Sequence, residues 1–280
     1  MADVRLLLVT GKGGVGKSAV AAAAALAAAR AGLRVLAIEM TDAGGLSAHF
    51  STGPFQFTPR EVRPGLAAMR LERSAALLEY LSAQLGIPSL NAMGPIARAF
   101  DALATAAPGV REVITTGKVL WEVKQENWDL VVADAPPTGQ IAGYLRAPRT
   151  VSELVPAGRI REQAAWMEEL LGDGTATRLL VVSTLEELPV AETVETLEWL
   201  DRETSVSNRG IVANRTLQPL GSRARSTGPT AAAADLHRSL LDEQSLWRAR
   251  LSPDIELPYL FGMLTPGEVA ARLSEIWETT

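Results

Sequence analysis

The chain has no cysteine among its 280 residues. That excludes disulfides, thiolate zinc sites, iron–sulfur clusters and a cysteine nucleophile. Histidine is almost as scarce. His49 and His237 are the only two and lie far apart, and neither is assigned to catalysis or to a metal. Basic charge is not in excess: 27 Lys and Arg stand against 32 Asp and Glu, a net charge of −5. This argues against a nucleic-acid surface. No apolar run approaches the length of a membrane-spanning helix. The longest, Ala19–Ala29, is mostly alanine and ends at Arg30. Residues 1–5 lead straight into a strand-like run, so no leader segment and a cytoplasmic location are expected. The length still allows a sizeable core.

What is present is concentrated in one stretch. Gly11-Lys12-Gly13-Gly14-Val15-Gly16-Lys17-Ser18 fits the phosphate-loop pattern G-x-x-x-x-G-K-[ST], with a second lysine, Lys12, near its start. The flanks suit it. Leu6–Val9 is a short apolar run of the kind that forms a buried parallel strand. Ala19–Ala29 is alanine apart from Val20 and Leu26, a strongly helix-forming composition, and Gly32 is a natural stop. Glycines let the backbone wrap closely round phosphate oxygens. The loop N–H groups and the helix N-terminus both favour an anion. Lys17 is expected to reach the β- and γ-phosphates and Ser18 to ligate Mg²⁺. The expected nucleotide-binding set is Gly11, Lys12, Gly13, Gly14, Val15, Gly16, Lys17, Ser18 and Ala19, with ATP and Mg²⁺ as cofactors. A guanine nucleotide is disfavoured, because no N-K-x-D follows a strand.

Strand and helix signals alternate along most of the chain. They predict an α/β fold, a doubly wound and mostly parallel sheet with helices on both faces, in a single domain over residues 1–280. After the first strand, Arg34–Ile38 reads as the second, ending at Glu39. Further strands are expected at 129–133, 179–183 and 210–213, with a short candidate at 255–257. Helices fit at Val190–Arg202, Ala231–Arg248 and Pro266–Trp277. Residues 50–124 differ. They carry helical patterns at Ser74–Leu85, Ile96–Ala106 and Val110–Lys124, punctuated by prolines from Pro54 to Pro108, and read as a helical insertion. Gly221–Pro229 reads as a flexible loop.

Ligands of such sheets bind outside the carboxyl ends of the strands. Asp134 closes the third strand and opens Asp134-Ala135-Pro136-Pro137-Thr138-Gly139-Gln140. An acid there in a phosphate-loop protein holds Mg²⁺, directly or through its waters. The bland alternative is a helix or turn cap. The two prolines and Thr138-Gly139 suit a hinge that responds to the γ-phosphate. Asp42, four residues beyond the second strand, either positions the attacking water or is only a turn residue in Thr41-Asp42-Ala43-Gly44-Gly45. Asn214-Arg215 closes the fifth strand, where a strand-end cap is the ordinary reading.

These motifs resemble a known family. Gly11–Ser18 with Lys12 is similar to the deviant Walker A loop shared by division-site and plasmid-partition ATPases, nitrogenase iron protein and the arsenite-pump and tail-anchored-protein-targeting ATPases. Asp134–Gln140 resembles the D-T-A-P-T-G-H switch II of the last branch. Pro108-Gly109, Arg111-Glu112 and Gly117-Lys118 are similar to the helix before that switch, especially in actinobacterial members. Leu145 and Pro148 fit the leucine and proline that follow it. The resemblance implies that Lys12 reaches across a dimer to the partner's nucleotide and that Asp42 orients the hydrolytic water. It makes Asp42, Lys12 and Lys17 the catalytic residues. It also implies that Asn214, followed by Arg215, reads adenine, and that Pro258-Tyr259 lies in the adenine-contacting loop. Ser18 and Asp134 become the Mg²⁺ residues, Asp134 through water.

The chain departs from that pattern. Ala43-Gly44-Gly45 replaces P-A-H after the switch I aspartate, and Gln140 replaces the final histidine of switch II. The cysteines that bind zinc or arsenite in the family are absent. Met69 and Met93 are too few for a client groove and suit core gaps. The expected activity is therefore a Mg²⁺-dependent ATPase, binding ATP and ADP and working as a homodimer or as a heterodimer with a related ATPase, with no integral membrane segment. One alternative is a low-turnover nucleotide-sensing scaffold. Another is a positioning ATPase on membrane or DNA. The tail opposes a membrane role. Val269, Leu273, Ile276 and Trp277 form a stripe suited to core packing, beside mostly acidic charge. DNA binding could use Arg215, Arg223 and Arg225, but three arginines near a loop are usually just solvated.

Overall fold

The computed structural model describes residues 3–41, 44–85, 109–221 and 229–277. The chain opens with β1 (Leu6–Gly11), α1 (Lys17–Arg30), β2 (Val35–Glu39) and α2 (Gly45–His49). It continues with β3 (Arg60–Arg63), β4 (Leu66–Arg70), α3 (Arg73–Leu85) and α4 (Val110–Lys124). Then come β5 (Leu130–Asp134), α5 (Thr138–Leu154), α6 (Arg159–Gly172), β6 (Thr177–Thr184) and α7 (Glu187–Glu203). The last elements are β7 (Arg209–Thr216), α8 (Pro229–Leu251), β8 (Ile255–Pro258) and α9 (Pro266–Trp277).

The strands form one eight-stranded sheet in the order β3-β4-β2-β5-β1-β6-β7-β8. Neighbours are parallel except for β3 against β4. The central strands β1, β2 and β5 are buried along their whole length. Both faces are covered, so they read as continuous apolar runs without alternation. On one face α1, α2 and α9 enclose Val9, Ala37, Val132 and Val182. On the other, α4 to α7 enclose Leu8, Ile38, Ala133 and Val181.

α1 runs beneath the middle of the sheet with Ala19, Val20, Ala21–Ala25 and Ala27 all buried. Methyl side chains let this helix approach the strands more closely than larger ones would. Inserting larger residues into such packing costs about 1–3 kcal/mol each. The C-terminal stripe packs against α1 as expected: Leu273 and Trp277 are buried, with Val269 and Ile276 against the same core. No helix among the described residues is long and apolar enough to cross a membrane.

One expectation is corrected. Residues 60–70 do not belong to a helical insertion: Arg60–Arg63 and Leu66–Arg70 are β3 and β4, and β4 pairs with β2 inside the main sheet. The first four residues of Leu66-Ala67-Ala68-Met69-Arg70 are buried, so no period-2 pattern marks it as a strand. Its partner is mostly exposed. The pair turns at Pro64-Gly65, where Gly65 takes φ 75°, a left-handed conformation that glycine adopts without strain. Met69 is fully buried in the core, consistent with gap filling. The helices at 74–85 and 110–124 are present as α3 and α4. The expected helix Ile96–Ala106, Met93, Pro108 and most of the Gly221–Pro229 loop lie outside the described residues.

Candidate active site

The sheet order sets the site. β1 lies between β5 and β6, so the loop leaving β1 emerges at the change of winding direction, outside the carboxyl ends of the strands. Val9 is in register with Asp134 and Gly11 with Val182. The start of the glycine loop and the acid of switch II are therefore neighbours by strand pairing alone.

The loop is shaped by contacts that only glycine tolerates. A Cβ on Gly11 would overlap the Val182 carbonyl, and one on Gly16, which has φ 95°, would overlap the Asn214 amide. Gly13 and Gly14 are exposed, Val15 is buried beneath them, and Ala19 is buried at the start of α1. The Lys17 ammonium donates to the Lys12 carbonyl at 3.1 Å. Burial depresses its pKa, and the Asp134 carboxylate opposes that shift. The Lys12 ammonium is not over its own loop. It pairs with the carboxylate of Glu192 on α7.

Ser18 and Asp134 meet directly. The Ser18 hydroxyl donates to Oδ2 of Asp134 at 2.6 Å. Burial pushes the Asp134 carboxyl up to about 6, against the Ser18 bond and the Lys17 charge, with nearby Glu39 adding to the rise. A desolvated carboxylate and a hydroxyl in contact are oxygen donors short of positive charge, which fits a hard divalent cation. Among the described residues no group of three or more His, Cys, Asp or Glu side chains could hold a metal. A cation here would take its remaining ligands from phosphates and water, as Mg²⁺ does.

Switch II begins with the backbone fixed. The Thr10 hydroxyl donates to the Pro136 carbonyl at 2.6 Å, and Ala135 N–H donates to Val9 O at 2.9 Å. Pro137 precedes α5, whose first turn holds Thr138 and Gly139. Asn214 is buried, and its Nδ2 donates to Val15 O at 2.8 Å. The structure thus spends one amide hydrogen of Asn214 on the glycine loop. Arg215 has φ 58° and is exposed. Pro258 ends β8, and Tyr259 N–H donates to Thr216 O at 2.9 Å. The Tyr259 ring is half exposed and lies 4.7 Å from Phe261, centroid to centroid. Asp42 and Ala43 lie outside the described residues, as do Arg223 and Arg225. His49 Nδ1 donates to Gly45 O at 2.6 Å, and His237 Nε2 donates to Gln218 O at 2.8 Å, so both rings bond to backbone carbonyls.

Two residues of this region belong to no motif that marks them as site residues. Thr10 reads as one more strand residue, and its reach to Pro136 spans 126 positions. Glu39 reads only as the end of the second strand. It is buried at 2% exposure and in register with Asp134 on β5 and with Arg70 on β4. An acid closing an apolar strand was the available signal, and Asp134 carries the same one.

A central parallel strand, a glycine loop capping α1, and a serine–aspartate contact beneath it define a P-loop nucleotide-binding protein. The profile of the anion-transporting ATPase family matches residues 4–164. ATPase BagA of Mycobacterium tuberculosis is 37% identical over 242 residues, covering 80% of this chain and 70% of that protein. ATPase get3 of Schizosaccharomyces japonicus is 31% identical over 154 residues, covering 54% of this chain and 46% of that protein. The chain belongs to the anion-transporting ATPase family and is an ATPase.

Proposed function

We propose that the chain is a Mg²⁺-dependent ATPase whose hydrolysis of ATP drives the conformational cycle of a dimer. The observation that carries this reading is the Ser18–Asp134 contact beside a half-buried Lys17 at the mouth of the glycine loop. Lys17 binds the β- and γ-phosphates, and the loop amides hold the same oxygens. Mg²⁺, when bound, neutralises charge on those oxygens; Ser18 would ligate it and Asp134 would hold one of its waters. Asn214, Arg215, Pro258 and Tyr259 surround the adenine. Asp42 orients a water that attacks the γ-phosphorus. The bond to the bridging oxygen breaks, ADP leaves, and the water's proton goes with the phosphate product.

Asp42→Asn is expected to keep Mg·ATP affinity within about threefold and to lose turnover by on the order of 10²- to 10⁴-fold. A neutral amide cannot polarise water as a carboxylate does. Single-turnover hydrolysis at the wild-type rate would move the water-positioning role to another group.

Lys12 is the residue that supports the dimer in this reading. Its ammonium is held by Glu192 of its own chain, and a partner's triphosphate is the stronger competing anion. An ion pair this exposed is worth about 0–1 kcal/mol. Glu192→Gln is therefore expected to lower the ATP-analogue concentration needed for dimerisation, by up to about fivefold. Sedimentation across a titration measures the midpoint. An unchanged midpoint would mean that the pair does not restrain Lys12.

The altered switch I favours a second reading, a nucleotide sensor with little turnover that pairs with a more active ATPase chain. Steady-state phosphate release from the purified chain separates the two. The chain itself has no thiolate that could hold a soft metalloid, so arsenite is expected not to stimulate its ATPase activity.

A further inference from the structure

We propose that Glu39 is the positioning residue of switch I: its carboxylate clasps the start of α2 and so seats Gly45 on the Ser18–Asp134 pair. The inference rests on the ATPase reading above and adds a residue to it.

The geometry is a closed ring. Glu39 ends β2, and its Oε1 accepts the Ser47 N–H at 3.0 Å, so the side chain bridges the segment 40–46. The Leu46 N–H also faces this carboxylate. The clasp brings Gly45 against the catalytic elements. A Cβ on Gly45 would overlap the Ser18 hydroxyl and would lie 3.4 Å from Oδ2 of Asp134. Ser47 reinforces the turn by donating its hydroxyl to Gly44 O at 2.9 Å. At the upstream end, Met40 N–H donates to Asp134 O at 3.2 Å. The two sides of this segment are thus held, Met40 by the Asp134 backbone and Ser47 by the Glu39 carboxylate. This also accounts for Gly44-Gly45 in place of the last two residues of P-A-H: Gly44 has φ 65°, and Gly45 has no room for a side chain.

A buried carboxylate is a costly way to hold two amides. Glu39 stands one strand from Asp134, a like charge, with Arg70 on the other side offsetting it. A neutral side chain of equal reach would make the same hydrogen bonds without that repulsion. Glu39→Gln keeps the acceptor and removes the charge; Glu39→Ala removes both. The pair therefore isolates the clasp.

The test combines hydrogen exchange of the nucleotide-free protein with steady-state kinetics. In Glu39→Ala the Leu46 and Ser47 amides are expected to exchange on the order of tenfold faster or more. Its kcat should fall by on the order of 10- to 100-fold with KM for Mg·ATP within about threefold. Glu39→Gln should keep both the protection and most of the kcat. Wild-type exchange at Leu46 and Ser47 in Glu39→Ala would overturn the proposal. So would a Gln variant as impaired as the Ala variant, or a loss of protection spread through α1, which would mean general destabilisation. A wild-type chain that does not hydrolyse ATP would sink the ATPase reading instead, and the exchange arm would still report on the clasp.

Discussion

Lys17→Ala is expected to abolish detectable ATP binding. The Lys17 ammonium is partly desolvated and donates to the Lys12 carbonyl, the loop's own backbone. It is already held at the loop mouth, so little ordering cost opposes its use on a phosphate. A triphosphate brought into this loop meets neutral N–H donors and a single ammonium in cis, because Lys12 is turned towards Glu192. Each hydrogen bond to a charged group contributes about 1.5–3 kcal/mol. Losing two such bonds to the β- and γ-phosphates costs at least a hundredfold in affinity, as an order of magnitude. The fold should survive, because Lys17 lies at the N-terminal end of α1 and the helix core is alanine. Calorimetry with Mg·ATP measures the loss. Near-normal affinity would contradict the phosphate-loop reading.

Lys12→Ala and Lys17→Ala chains, each inactive alone, are expected to recover part of the ATPase activity when mixed. The reason is geometric. Lys17 serves its own loop, and the Lys12 side chain leaves that loop towards α7. An ammonium so directed reaches a triphosphate only if the nucleotide is presented from outside the chain, by a partner. It would then act on the charge that develops during hydrolysis, as a finger delivered in trans. In a mixed dimer the Lys12→Ala chain keeps Lys17 and binds nucleotide. Its Lys17→Ala partner supplies the intact Lys12. One of the two sites is then complete. With random pairing half of the dimers are mixed, each with one working site, so recovery of about a quarter of the wild-type rate is the natural ceiling, an estimate that assumes independent sites. If Lys12→Ala alone turns over ATP at the wild-type rate, the lysine is a solvated loop residue and the trans arrangement is wrong.

The site was legible in sequence to the extent that it is local. Gly11–Ser18, its strand and its alanine helix sit within about 25 consecutive positions, and glycine spacing marks a turn that no other residue makes. Asp134 was legible because an acid abruptly ends an apolar run. The pair β3–β4 was not legible. Its burial comes from the neighbouring β2 and from the helices, and five residues such as Leu66–Arg70 carry no period that separates strand from helix. Asn214 was noticed for its position, but its bond to Val15 spans 199 residues and has no local trace.

By itself, the sequence determined the phosphate loop, the α/β class and the exclusion of thiolate chemistry, since each follows from residue type and short-range order. Tertiary structure decided which groups meet. The sheet order puts β5 beside β1 and β2, which sets Glu39 next to Asp134, and the packing of α1 on that sheet joins Asp134 to Ser18. It decided the pairing of Lys12 with Glu192, 180 residues away. Strand order and helix packing are set by how whole apolar faces are covered, a property of the assembled layers that no single segment encodes.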